Sequence, residues 1–186
     1  IEDGCVLLDV RMPNDFEKGF IPQSLNIGKT GMFAPWVATI ISPQQPIVLI
    51  CYPAEAEEVI SRLARVGFEN IVGYTHGTRE WQLGGKDLDY VNSVDPSTIV
   101  NTGIKYLDVR KNNELDLGFV PGSIHIPLSD LSNNLSKINK DEDYLVYCAG
   151  GYRSMIACSI LKSRGYHKVK NIYGGFNLIA QQINNF

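Results

Sequence analysis

Cys148 closes an apolar run and is followed by Ala149, Gly150, Gly151, Tyr152, Arg153 and Ser154 before a helix-like stretch begins. A cysteine attacks as its thiolate, and the neighbours in this segment bear on that state. Backbone N–H groups of the loop, with the unpaired donors that open a following helix, can stabilise an anion at the loop centre. Gly150 and Gly151 permit the positive φ that a loop curling its amides around one sulfur would need. Arg153 adds a permanent positive charge, and Ser154 is placed to cap the helix. Together these residues predict covalent, nucleophilic chemistry at Cys148. The plainer alternative, a packed thiol beside a glycine turn, leaves the Gly-Gly-x-Arg-Ser combination unexplained.

The other candidate chemistry is thinner. The remaining cysteines, Cys5, Cys51 and Cys158, form no C-x-x-C pair with one another or with Cys148, which suits a reducing compartment. Cys158 lies within the apolar helix itself and reads as core. His76, His125 and His167 are far apart, with no ligand spacing, so no protein-bound metal is expected. A net charge of −3 over 186 residues, without blocks of like charge, argues against nucleic acid or a membrane surface as partner. No apolar run approaches the roughly 20 residues that span a bilayer, and a soluble, cytoplasmic protein is expected.

The elements that must position Cys148 emerge from a self-comparison. Residues 7–27, LLDVRMPNDFEKGFIPQSLNI, match residues 106–126, YLDVRKNNELDLGFVPGSIHI, placing Asp9 over Asp108, Arg11 over Arg110 and Pro22 over Pro121. Further on, PIVLIC (46–51) parallels DYLVYC (143–148), RLARVGF parallels ILKSRGY, and HGTREW parallels GGFNLI. A repeat of this length is a domain duplication, with domains expected at 1–92 and 93–186. In each copy β-rich runs alternate with helical stretches. Val59, Ile60, Leu63 and Val66 are expected on one helical face before Gly67, and Met155, Ile156, Ile160 and Leu161 before Gly165. The pattern predicts two small α/β domains, each a mostly parallel sheet covered by helices, with sites at strand carboxyl ends.

With these residues in hand, the sequence resembles the rhodanese-like sulfurtransferases. The carriers are YLDVR (106–110), GFVPGSIHIP (118–127), CAGGYRS (148–154) and NIYGG (171–175), in the family's usual order. The resemblance implies that Cys148 is catalytic and carries a covalent persulfide. Ala149, Gly150, Gly151, Tyr152, Arg153 and Ser154 then form the binding loop, with Asp108 and Arg110 as its support. Phe119 departs from the histidine common before Ile-Pro, for which a packing change is expected. Four residues separate Cys148 from Arg153, where cysteine-dependent phosphatases of this fold have five, so a loop sized for sulfur is favoured over phosphatase chemistry. The implied reaction moves sulfane sulfur from thiosulfate or a persulfide to a thiol or cyanide, with no cofactor beyond the enzyme-bound persulfide.

The first copy reads as degenerate. Its loop, CYPAEAEE (51–58), lacks both glycines and the arginine, Pro53 removes an amide donor, and Glu55, Glu57 and Glu58 bring negative charge that disfavours a thiolate at Cys51. Asp9, Arg11 and Trp81 are then left with scaffold roles. Residues 19–41 and 62–77 also resemble the tandem rhodanese region that follows a metallo-β-lactamase-fold domain in bacterial fusions. Such a domain is thus an expected neighbour on a longer chain, consistent with a start at Ile1 rather than methionine. Phe33 and Trp36 would belong to an insertion shared with those fusions or to a surface loop anchored by aromatics. A non-catalytic binding or regulatory module is the competing reading of the whole.

Overall fold

A computed structural model describes residues 4–98 and 103–183. They fall into two compact units that divide between Tyr90 and Val91. In the first, strands β1 (Val6–Asp9), β2 (Leu25–Asn26), β3 (Ile47–Cys51) and β4 (Ile71–His76) form a parallel sheet in the order β2-β1-β3-β4. Helices α1 (Pro13–Phe16), α2 (Phe33–Ile40), α3 (Ala56–Ala64) and α4 (Arg79–Leu83) lie between or after the strands. In the second, β5 (Ser93–Val94), β6 (Lys105–Asp108), β7 (Ile124–His125), β8 (Tyr144–Tyr147) and β9 (Val169–Ile172) are parallel in the order β5-β9-β8-β6-β7. Helices α5 (Tyr152–Ser163) and α6 (Gly175–Ile183) complete it. The expected α/β class and parallel sheets are present in both units.

Apolar composition explains which strands sit centrally. β3 and β8 are the most apolar runs and each has a strand on either side; every residue of β8 is buried. β4 is an edge strand, and its alternate residues Val72 and Tyr74 are half exposed. α3 buries Ala56, Val59 and Leu63, a stripe at i, i+3 and i+7. Ile60 lies off that stripe and Val66 falls beyond the helix end, and both are exposed, which corrects the four-residue face.

α5 differs from α3 in being buried continuously from Ser154 to Leu161, taking in Cys158 and the four expected apolar residues. A 3₁₀ segment at Leu128–Asn133, with Leu128 and Leu131 buried, packs against it. Both helices stop as the sequence requires. Gly67 and Gly165 adopt φ of 87° and 84°, and the N–H groups of Phe68 and Tyr166 donate to Leu63 O and Leu161 O. Phe33 and Trp36 lie on α2, a helix rather than a loop, with Phe33 buried beneath the Arg62 guanidinium. Among the described residues, no helix is long and apolar enough to cross a membrane.

Candidate active site

Cys148 follows the last residue of β8 at the carboxyl end of the second sheet, and only 1% of it is exposed. The chain turns at Gly151, whose φ of 99° suits a glycine and aims its N–H at Cys148 Sγ, 3.1 Å away. Of the two glycines it is therefore Gly151 that supplies the positive φ. Gly150 is exposed, adopts no positive φ, and faces open space. Ala149 carries the loop across to Gly150, and Tyr152 begins α5. Ser154 does not cap that helix. Gly151 occupies the cap position, and Ser154 sits one turn inside, fully buried, with Oγ 3.6 Å from Cys148 Sγ. Its hydroxyl donates to Asn171 Oδ1 at 2.6 Å.

Arg153 carries the permanent positive charge that the sequence implies, but not as an open cation. Instead its Nη1 and Nη2 donate to the two carboxylate oxygens of Glu114, at 2.5 and 2.7 Å. Glu114 holds the guanidinium firmly charged, and the Cys148 sulfur adds to the effect. Glu114 is reciprocally pushed down to about 2, first by Arg153 and then by the Lys111 amide and the Arg110 charge. The arginine's field at the sulfur is thus partly neutralised before any ligand arrives.

Asp108 and Arg110 reach the loop only through two intermediaries, the Glu114 segment and Phe176. Arg110 donates from Nε and Nη2 to the Asp108 carboxylate, with the shortest contact 2.7 Å and both residues buried. Its Nη2 also donates to Gly118 O at 2.8 Å and its Nη1 to Glu114 O at 3.4 Å, fixing the 3₁₀ segment that presents Glu114 to Arg153. The same guanidinium lies 4.0 Å from the Phe176 ring centroid. Phe176 N–H donates to Cys148 O at 2.7 Å and Asn177 N–H to Ala149 O at 3.0 Å, so the start of α6 grips the root of the loop. His125 Nε2 donates to Arg110 O, 2.9 Å away. Phe119 is half exposed, so its replacement of histidine alters the surface rather than the packing.

The first unit repeats the support without the site. Arg11 pairs with Asp9 and donates to Gly19 O at 3.0 Å, the counterpart of Arg110 on Gly118. Trp81 donates its indole N–H to Asp87 O and stacks under Lys86. Cys51 ends β3 fully buried. Burial pushes its thiol up to about 11, with Glu55 and Asp9 adding to the effect. Cys158 is pushed up still further by complete burial. All four cysteines are free thiols. Among the described residues, no group of three His, Cys, Asp or Glu is placed to hold a metal ion.

Three residues that shape the site had no role assigned from sequence. Glu114 carried a signal, since the first copy holds an acidic residue, Asp15, at the same place in the repeat. Gly175 lies in the NIYGG stretch, and its φ of 57° and close approach explain it. A Cβ there would stand 2.3 Å from Cys148 O. Asn171, in the same stretch, gave no sign that it would reach Ser154.

Several known proteins are similar to parts of this chain. The sulfurtransferase of Allochromatium vinosum is 31% identical over 90 residues, covering 46% of this chain and 84% of that protein. Thiosulfate sulfurtransferase 18 of Arabidopsis thaliana is 34% identical over 103 residues, covering 46% of this chain and 76% of that one. A rhodanese-related protein from Thermoplasma volcanium aligns in structure at 29% identity and a TM-score of 0.46, over 49% of this chain and 92% of that one. The model of the rhodanese-like domain matches residues 1–83 and again residues 98–182. The chain belongs to the rhodanese-like family and carries its domain twice.

Proposed function

We propose that this chain is a sulfurtransferase in which Cys148 takes up and releases sulfane sulfur as a persulfide. The observation that carries the reading is the Gly151 N–H aimed at Cys148 Sγ from 3.1 Å, in a loop at the carboxyl end of a central strand. A sulfur held by an amide, with Arg153 beside it, is equipped to bear negative charge. In the loading step the Cys148 thiolate attacks the outer sulfur of thiosulfate or of a persulfide. An S–S bond forms to Sγ, and sulfite or the donor thiolate leaves with the electron pair. In the discharge step a thiol or cyanide attacks the same outer sulfur and Cys148 departs as thiolate. No metal or organic cofactor enters either step.

The bidentate hold of Glu114 on Arg153 favours donors that do not rely on a free cation, so a persulfide is proposed as the better donor and thiosulfate as the weaker. Cys148 with residues 149–154 is the proposed working site, supported by Asp108 and Arg110. The first unit is proposed to be non-catalytic, because burial and Glu55 hold the Cys51 thiol protonated. The cytoplasm, where thiols stay reduced, is the proposed location. A metallo-β-lactamase-fold domain on the same polypeptide is a further proposal, resting on the resemblance of residues 19–41 and 62–77 alone. The test of the central reading is intact mass after brief exposure to thiosulfate or a small-molecule persulfide, with peptide mapping and a cyanide chase. One added sulfur on Cys148, removed by cyanide, is the expected result. No adduct from either donor on a folded, reduced protein would favour a binding module.

A further inference from the structure

The Ser154 hydroxyl has one proton and three acceptors within reach: Asn171 Oδ1 at 2.6 Å, Gly151 O at 3.1 Å and Cys148 Sγ at 3.6 Å. The distances assign the proton to Asn171. Asn171 is only 4% exposed, and its carboxamide is oriented from the far side, where Nδ2 donates to Ser93 Oγ at 2.9 Å. With the nitrogen turned to Ser93, the oxygen faces Ser154. A polar chain therefore runs from the sulfur through α5 and β9 to β5, the short strand that opens the second unit.

We propose that Asn171 is a positioning residue that holds the Ser154 hydroxyl away from Cys148 and so favours the sulfur-loaded state over the empty thiolate. The inference rests on the Cys148 persulfide proposed above. In the loaded state Sγ is a bridging sulfur without charge, and Ser154 can remain on Asn171 with every group satisfied. On discharge the acceptor bonds to the outer sulfur, the Sγ–S bond breaks, and its electron pair returns to Sγ. The transfer is a two-electron displacement that needs no oxidant or reductant. The new thiolate has the Gly151 N–H beside it, and the next donor is the Ser154 hydroxyl. To reach the sulfur that hydroxyl must leave a nearly buried carboxamide oxygen without its proton. Asn171 thus acts as a brake on release, and Ser93 keeps the brake aligned.

The test compares discharge of preloaded protein by cyanide with alkylation of the unloaded protein by iodoacetamide at fixed pH. Asn171→Leu removes the competing acceptor and frees Ser154 to donate to Sγ, and both rates are expected to rise about fivefold. The rise must vanish when Ser154 is absent, so the double variant S154A/N171L discharges at the rate of Ser154→Ala. Ser93→Ala loosens the carboxamide from a partly exposed strand and moves both rates the same way by less, while Ser93→Thr restores them. Unchanged or slower rates in both Asn171→Leu and Ser93→Ala, or acceleration that persists without Ser154, would overturn the assignment. If no sulfur loads yet alkylation still accelerates in a Ser154-dependent way, the persulfide reading fails while the hold of Asn171 on Ser154 stands.

Discussion

Glu114 grips Arg153 through both of its terminal nitrogens, and it reaches that position because Arg110 pins the segment on which it sits. The loop arginine is therefore not an open anion receptor but half of an ion pair with 16% of its side chain exposed. Glu114→Gln keeps the shape and removes the charge. The expected outcome is a rise of about threefold to tenfold in kcat/KM for thiosulfate, as the unmasked guanidinium attracts a dianion, with a smaller change for an alkyl persulfide, which carries at most a single charge. Parallel kinetics with the two donors check it, and equal effects on both would remove the masking role assigned to the pair.

The same pair sets an acid limit on stability. Glu114 titrates at about 2 in the folded chain, below the ordinary 4.5 of a glutamate, because Arg153 favours its charged form. A depressed carboxyl contributes stability that is fully present above its unfolded value and is lost as pH falls through the folded one. The thermal stability of the parent should therefore fall between pH 4.5 and about 2, while Glu114→Gln loses about 1–2 kcal/mol at neutral pH and changes less over the acid window. Coincident pH profiles for the two proteins would show that the pair adds no net stability.

Much of this arrangement was legible in the sequence because it rests on short-range rules. Glycine after a periodic helix gave the ends of α3 and α5, and apolar runs gave the central strands β3 and β8. Repetition of Asp-Val-Arg set Asp9 over Asp108 and Arg11 over Arg110, though that each pair closes into a buried ion pair was not legible. What escaped depends on distance in space. Arg153 and Glu114 are 39 residues apart, and Asn171 and Ser93 are 78 apart, so no local pattern could pair them. The placing of Ser154 failed for a different reason. Gly151 in a left-handed conformation starts α5 earlier than a serine cap would, and this turns the hydroxyl inward toward the sulfur and Asn171.

Gly175 and Gly150 separate tolerance from constraint around the same loop. A methyl at Gly175 would meet the carbonyl oxygens of Cys148 and Ala149 at 2.3 and 2.8 Å, with φ already positive. The start of α6 must then shift, and its N–H bonds to those carbonyls go with it. Gly175→Ala should cost about 2 kcal/mol or more and reduce sulfur loading at Cys148 at least as severely as it reduces stability. Gly150→Ala meets nothing within 4 Å and should leave the melting temperature and the loading rate near the parent values. Denaturant melts and mass-resolved loading of the two variants decide the matter, and equal tolerance would show that α6 does not hold the loop.

The two strand-end cysteines provide the sharpest contrast within the chain. Cys51 and Cys148 occupy matching places, each fully or almost fully buried at the carboxyl end of a central strand. At Cys148 the next turn supplies the Gly151 N–H and Arg153. At Cys51 it supplies Glu55, and burial with that carboxylate raises the thiol to about 11. Because a raised thiol is protonated below its folded value, Cys51 should resist iodoacetamide at pH 8 and become reactive only as pH approaches 11. Cys148→Ser should abolish sulfur transfer, whereas Cys51→Ser should leave it within about twofold of the parent. Peptide-resolved alkylation across the pH range tests the division. Labelling of Cys51 at pH 8 in the folded protein, or equal loss of transfer in both variants, would mean that the first unit shares in the chemistry.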